Sequence, residues 1–167
     1  EARYAEKPDP GVAWQIFRAW SRDGEWGKAA AWGRRGMEDH KSDWRWRGAK
    51  DDMAWATLLA AENEEAAERW SALAKRGGDF GRKARFYAAL SNHLAGDQEA
   101  AIADLDTLLK SPREWKATAH YWRAKARAAT GDEEGAAADR AASAEHDKTG
   151  WYDELLRGTV AMTPDDP

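Results

Sequence analysis

Apolar residues recur along this chain at intervals of three and four, and no stretch keeps the two-residue alternation of a half-buried strand. Tyr87, Leu90 and Leu94 make one helical stripe, and Ala101, Ile102, Leu105, Leu108 and Leu109 make the next. Between them stands Gly96-Asp97. Glycine closes a helix by taking the left-handed conformation, and aspartate caps the following helix by accepting from a free amide in its first turn. Glu99 then sits near the positive end of that helix, where a carboxylate is favourable. Ser111-Pro112 ends it, because a residue before proline is pushed out of the helical region. The same succession returns with Tyr121, Ala124 and Ala128 on one face, Trp122, Ala126 and Ala129 on an adjacent one, and Gly131-Asp132 as the turn. Upstream, Met53, Trp55, Leu58 and Leu59 precede a turn, while Ala66, Ala67, Trp70 and Leu73 follow it. Further upstream, Trp14, Phe17 and Trp20 precede Gly24, and Trp26, Ala29, Ala30 and Trp32 follow. The pattern predicts an all-α protein built of helix pairs.

These pairs are repeats. Leu94 to Asp104 matches Ala129 to Asp139 at an offset of 35 residues, with Phe86-Tyr87 aligned to Tyr121-Trp122. A fainter copy at Ala61 to Ala67 aligns Ala66-Ala67 with Ala100-Ala101 at an offset of 34, and a still fainter one lies at Asp23 to Ala30, about 37 residues earlier. The expected organisation is an extended segment over 1–11 and a helical-repeat domain over 12–157. Its units fall at about 12–47, 50–78, 80–112 and 113–147, followed by a terminal helix at 149–157 and a polar tail at 158–167. Gly77-Gly78 reads as a connector, and Met37 to Gly48 as the least regular internal stretch. Repeated helix pairs of this length predict an α-solenoid, a superhelix of antiparallel pairs in which each unit is stabilised by its neighbours.

Composition refines that picture. The chain has 167 residues, no Cys and eleven Trp, with 26 Lys and Arg against 30 Asp and Glu. A mean hydropathy of −0.88 beside so many indoles implies small alanine contacts anchored by a few large rings. The formal charge of −4 argues against a dedicated nucleic-acid binder, and no apolar run is long enough to span a membrane. Without cysteine there is no disulfide framework, thiolate zinc site or cysteine nucleophile. A chain that begins at Glu1 reads as processed or trimmed, so a signal peptide would not be visible in it.

Catalytic chemistry finds little to build on. His40, His93, His120 and His146 are dispersed, with no metal-ligand spacing, and Glu145-His146-Asp147 places neighbouring side chains in different directions on a helix. No phosphate-cradling or nucleophile-elbow motif occurs. The paired acids Asp51-Asp52, Glu64-Glu65 and Asp132-Glu133-Glu134 fall at predicted helix starts, where capping explains them better than a glycosidase pair would. No catalytic residue, metal or cofactor is therefore expected, and a small glycan hydrolase stands only as a minor alternative. Two candidate binding surfaces remain. Trp44-Arg45-Trp46-Arg47 alternates rings with guanidinium groups that can stack on sugars, bases or aromatic side chains, unless Trp44 or Trp46 packs the junction of the first two units. His93 and Lys125 are the expected exposed members of a first-helix row that also holds Phe86 and Tyr121.

The 34- to 35-residue helix–turn–helix period with Gly-Asp turns resembles the tetratricopeptide class. The stretch Ala119-His120-Tyr121-Trp122-Arg123-Ala124-Lys125-Ala126, then Gly131-Asp132, Ala136-Ala137 and Gly150-Trp151-Tyr152, is similar to the end of the superhelical domain of soluble lytic transglycosylases. That resemblance covers about residues 85–157. It implies a non-catalytic scaffold at the cell envelope or in the periplasm, ahead of a peptidoglycan-cleaving domain that would follow Pro167; the Glu-Ser pair of that domain is not in this chain. The expected partner is a protein or peptide, or a peptidoglycan strand. A free-standing tetratricopeptide-like adaptor is the alternative, and a cytoplasmic location stays open.

Overall fold

One turn is used four times. Gly24, Ala61, Gly96 and Gly131 each take a left-handed backbone, with φ of 74°, 58°, 90° and 83°. The amide of the following residue then donates to a carbonyl five residues earlier: Glu25 to Trp20 at 3.0 Å, Glu62 to Thr57 at 2.9 Å, Asp97 to Asn92 at 2.9 Å and Asp132 to Arg127 at 3.0 Å. This bond satisfies a carbonyl that the helix end leaves open and turns the chain back on itself. Asp97 and Asp132 also cap the next helix, accepting from the amides of Ala100 at 3.0 Å and Gly135 at 2.9 Å. Glu25 and Glu62 hold the same place without a side-chain cap.

The computed structural model describes residue 4 and residues 8–111 and 113–147. Among the described residues it is all-α, with helices α1 (Pro10–Arg22), α2 (Trp26–Asp39), α3 (Trp44–Gly48), α4 (Lys50–Leu59), α5 (Asn63–Ala74), α6 (Gly78–Ala95), α7 (Gln98–Leu109), α8 (Lys116–Ala129) and α9 (Glu133–His146), and a 3-10 turn at Arg113–Trp115. The four turns join α1 to α2, α4 to α5, α6 to α7 and α8 to α9. Helix α1 starts at Pro10, inside the segment expected to be extended, because Asp9 accepts from the Val12 amide at 2.9 Å and proline suits a first helical turn. The stretch expected to be irregular holds the end of α2 and the short α3, which Asp43 caps through the Arg45 amide at 2.9 Å. Gly77-Gly78 does connect two units, with positive φ at both residues. The expected terminal helix, the polar tail and Pro112 lie outside the described residues.

Burial fixes the register of the repeat. Second helices bury Ala66, Trp70 and Leu73 in α5 and Ala101, Leu105 and Leu108 in α7, an offset of 35 residues throughout. The turns at Ala61 and Gly96 share that offset, so Ala66 matches Ala101 and not Ala100 as the sequence comparison had it. Ala66 falls on an alanine at either offset, but of Ala100 and Ala101 only the second is buried. The corresponding positions of α2 are Ala29, Gly33 and Gly36. A Cβ at Gly33 would overlap Met53, and one at Gly36 would overlap the Trp46 ring. Small residues in α2 therefore receive large ones from α3 and α4. First helices pack likewise: Phe17, Ala54, Ala89 and Ala124 are buried at equivalent positions. Aromatic rings fill the wider gaps, with Trp55, Trp70 and Tyr87 packed at centroid distances of 4.5 to 5.1 Å. Each main helix packs mostly on its neighbours in sequence.

Polar contacts repeat too. The Arg85 guanidinium donates to Asp104 at 2.7 Å, joining α6 to α7, and 35 residues on His120 Nδ1 lies 2.7 Å from Asp139, joining α8 to α9. Asp139 is 2% exposed and also accepts from Arg123 at 2.6 and 2.8 Å and from Arg127 at 3.0 Å. Burial alone would raise its pKa, but the hydrogen bonds from Arg123 and His120 and the two guanidinium charges outweigh burial and hold it below the usual carboxylate range.

Equilibrium unfolding reads both the turns and the buried carboxylate. Ala61→Gly removes the left-handed strain of the second turn and raises the unfolding free energy by about 0.5–1 kcal/mol, whereas Gly96→Ala lowers it by a similar amount. Asp139→Ala leaves two guanidinium groups without their buried partner and costs about 3–5 kcal/mol. Because the folded pKa of Asp139 is depressed, its stabilisation is present above the unfolded carboxylate value of about 3.9 and is lost as pH falls through the folded value. Asp139→Asn is accordingly less stable at pH 7 and loses less of its remaining stability on acidification; an acid-unfolding slope unchanged from that of the parent protein contradicts the assignment.

Candidate functional site

Helix α2 packs against both α1 and α4, and those two helices do not close on each other. The space between them is an open groove of about 850 Å³. Its lining comes from Trp14, Phe17, Arg18 and Arg22 of α1, Trp26 at the start of α2, and Asp52, Trp55 and Leu59 of α4. Spacings of four place Trp14, Arg18 and Arg22 on one face of α1. Asp52, Trp55 and Leu59 follow at three and four on α4. Leu59 is 48% exposed, and so lacks the cover its size would otherwise receive. The Arg18 guanidinium lies 5.9 Å from the centre of the Trp14 ring. Burial and the neighbouring Asp51 raise the pKa of Asp52, against a smaller lowering by Arg18. The surface is apolar at its floor and charged at its edges, which suits holding a segment of chain.

The residues singled out in the sequence fall elsewhere. Trp46 is 1% exposed, donates from Nε1 to the Pro10 carbonyl at 3.3 Å, and meets Trp14 and Phe17 edge-on at 5.2 and 6.0 Å. It packs the junction of the first two units, and its ring is closed to sugars or bases. Trp44 points the other way, 69% exposed, with the Arg45 guanidinium 5.1 Å from its ring and 3.0 Å from Asp43. Arg47 is exposed. The alternation of rings and guanidinium groups thus splits between core and solvent, because successive helical residues face different directions. His93 and Lys125, from different units, do come together around one ring. The His93 ring is 5.9 Å from Trp122, and Lys125 Nζ is 5.5 Å from it and 5.4 Å from Tyr121. His93 Nδ1 pairs with Gln98 Oε1 at 2.6 Å across the turn, so one of its nitrogens is already engaged.

The four histidines, dispersed in sequence, include one spatial pair. His120 and His146 stack at 5.8 Å because α9 returns antiparallel to α8 and sets its last turn beside the first turn of α8. Among the described residues no three His, Asp or Glu side chains converge as metal ligands. Asp51 and Asp52 lie in the first turn of α4, where a carboxylate suits the helix end, and Asp52 also reaches the groove.

The sequence pattern assigns Trp14, Trp26, Trp55 and Leu59 to helical packing stripes and gives Arg18 and Arg22 no role. One signal pointed to that face: charge divides by helix order. The first helices of the four pairs, α1, α4, α6 and α8, carry ten basic and three acidic residues; the second helices, α2, α5, α7 and α9, carry five basic and twelve acidic. Part of this asymmetry is spent inside the pairs, as with Arg85–Asp104 and Arg123–Asp139. Arg18, Lys83 and Lys125 make no ion pair among the described residues; each lies within 6.0 Å of the centre of an aromatic ring on its own helix.

Replacing the two tryptophans separates their roles. Trp46→Ala removes a fully enclosed ring and costs about 3–5 kcal/mol in denaturant unfolding, while Trp44→Ala stays within about 0.5 kcal/mol of the parent protein. Comparison with protein-family models and with curated proteins gives no match for this chain.

Proposed function

We propose that this chain is a non-catalytic helical-repeat scaffold whose consecutive helix pairs stack as a solenoid, and that it binds a protein or peptide segment along the first-helix face. The observation that carries the reading is the groove between α1 and α4, walled by the large, incompletely covered side chains Trp14, Trp26, Trp55 and Leu59. Grooves of that kind bind extended or helical segments through a few apolar anchors. The stacked arrangement is supported by the four equivalent turns and by the packing of each main helix on its sequence neighbours. A cell-envelope setting, with the scaffold holding an enzyme or a peptidoglycan strand, is what the transglycosylase resemblance implies. Peptide capture does not depend on that setting and applies equally to a free-standing adaptor.

A random-peptide display selection on the full chain tests the reading. Recovered peptides are expected to quench or shift the tryptophan emission of the protein and to weaken by at least about fivefold on Leu59→Ser, which removes an exposed anchor without opening the core. A selection that yields no peptide sensitive to that substitution defeats the proposal.

A further inference from the structure

The groove is not neutral toward its occupant. Arg18 and Arg22 stand one turn apart on the same wall. Arg18 makes no ion pair among the described residues, resting instead over Trp14. Among the described residues Arg22 pairs only with its neighbour Asp23, at 3.4 Å with both side chains more than half exposed, an arrangement worth little in water. Facing them from α4 are Trp55, Leu59 and a single acid, Asp52. A ligand must satisfy two guanidinium groups and cover an apolar floor at once.

We infer that the groove takes an acidic segment of a partner protein bearing at least one large apolar side chain. This rests on the proposed binding role and adds the chemistry of the ligand. Each guanidinium can pair bidentately with a carboxylate, and the apolar side chain inserts between Trp14, Trp55 and Leu59. The α1 wall carries Arg18 and Arg22 and no acid, whereas α4 carries Lys50 against Asp51 and Asp52, so the cationic side of the groove is α1. A basic segment meets Arg18 and Arg22 head on, and an uncharged one leaves them unanswered. Asp52 acts as a discriminator: it repels carboxylates from the α4 wall and confines them to the α1 side, so the segment enters with a defined orientation.

The probe is a synthetic peptide with Glu and Asp on both sides of a central Leu-Phe, acetylated and amidated so that no terminal charge contributes, and followed by anisotropy against the full chain. It is expected to bind, whereas the counterpart with Lys in place of every acid, and the acidic peptide with Ser in place of Leu-Phe, bind at least about tenfold more weakly. Arg18→Glu with Arg22→Glu weakens the probe by about tenfold or more, Asp52→Asn tightens it a few fold, and Lys110→Glu in the third unit leaves it unchanged. The opposite signs at Arg18 and Asp52 separate an electrostatic preference from damage to the fold. Raising salt from about 0.1 M to about 1 M, which shortens the screening length from about 10 Å to about 3 Å, weakens the probe and not a neutral peptide recovered by display. Failure of the probe to bind, equal binding of the Lys counterpart, or indifference to the Arg18 and Arg22 reversals overturns the inference. If display then yields neutral or basic peptides that depend on Leu59, the binding role survives and only the ligand chemistry is wrong; if it yields none, both fail.

Discussion

The structure depends on one backbone hydrogen bond made four times, from the residue after each left-handed turn to the carbonyl five residues before it. That bond stops one helix and reverses the chain. The residue that donates it is also the first residue of the next helix boundary, so little chain is lost between the two helices. With the reversal so tight, the helices must lie close together, and close helices demand small residues where they face each other. Ala54, Ala89 and Ala124 in the first helices and Ala66, Ala101 and Ala136 in the second meet that demand. Where it is met by glycine, at Gly33 and Gly36, the room is used by Met53 and Trp46. A chain of mean hydropathy −0.88 can pack in this way because alanine contributes contact without bulk and a few indoles supply the rest of the buried area.

Polar chemistry inside the pairs follows from the same closeness. In the last two described pairs arginines on first helices reach aspartates on second helices, Arg85 to Asp104 and Arg123 and Arg127 to Asp139, and at the 35-residue offset His120 stands where Arg85 does. The last described pair carries it furthest, with His120, Arg123 and Arg127 converging on one buried carboxylate. Such a cluster stabilises only while every partner is present, since the desolvated groups have no water to turn to. The same division of charge leaves surplus cations on α1, where they meet the uncovered rings of the α1–α4 groove. Architecture and the charge of the groove thus share one origin.

What could be read from the sequence was local. The helix pairs, three of the four turn residues and the caps at Asp97 and Asp132 rest on interactions within a few residues, so spacing alone carried them. Ala61 was missed as a turn residue because its backbone is set by its place in the repeat and not by its own preference. The Ala66 register slips by one for a related reason: Ala66 falls on an alanine at either offset, Ala100 or Ala101, and burial distinguishes the two.

The direction of a side chain beyond its own helix was decided by tertiary structure. Trp44 and Trp46 are two positions apart and chemically alike, yet one faces solvent and the other fills the space that Gly36 leaves on α2. Arg18, Asp52 and Leu59 carry no motif; they line one groove because α2 holds α1 and α4 apart. Sequence by itself determined that this protein is a set of repeated helix pairs, since hydrogen bonds and periodicity act over one or two turns. Which residues stay uncovered depends on which helices fail to meet, and that is a property of packing among elements distant in the chain.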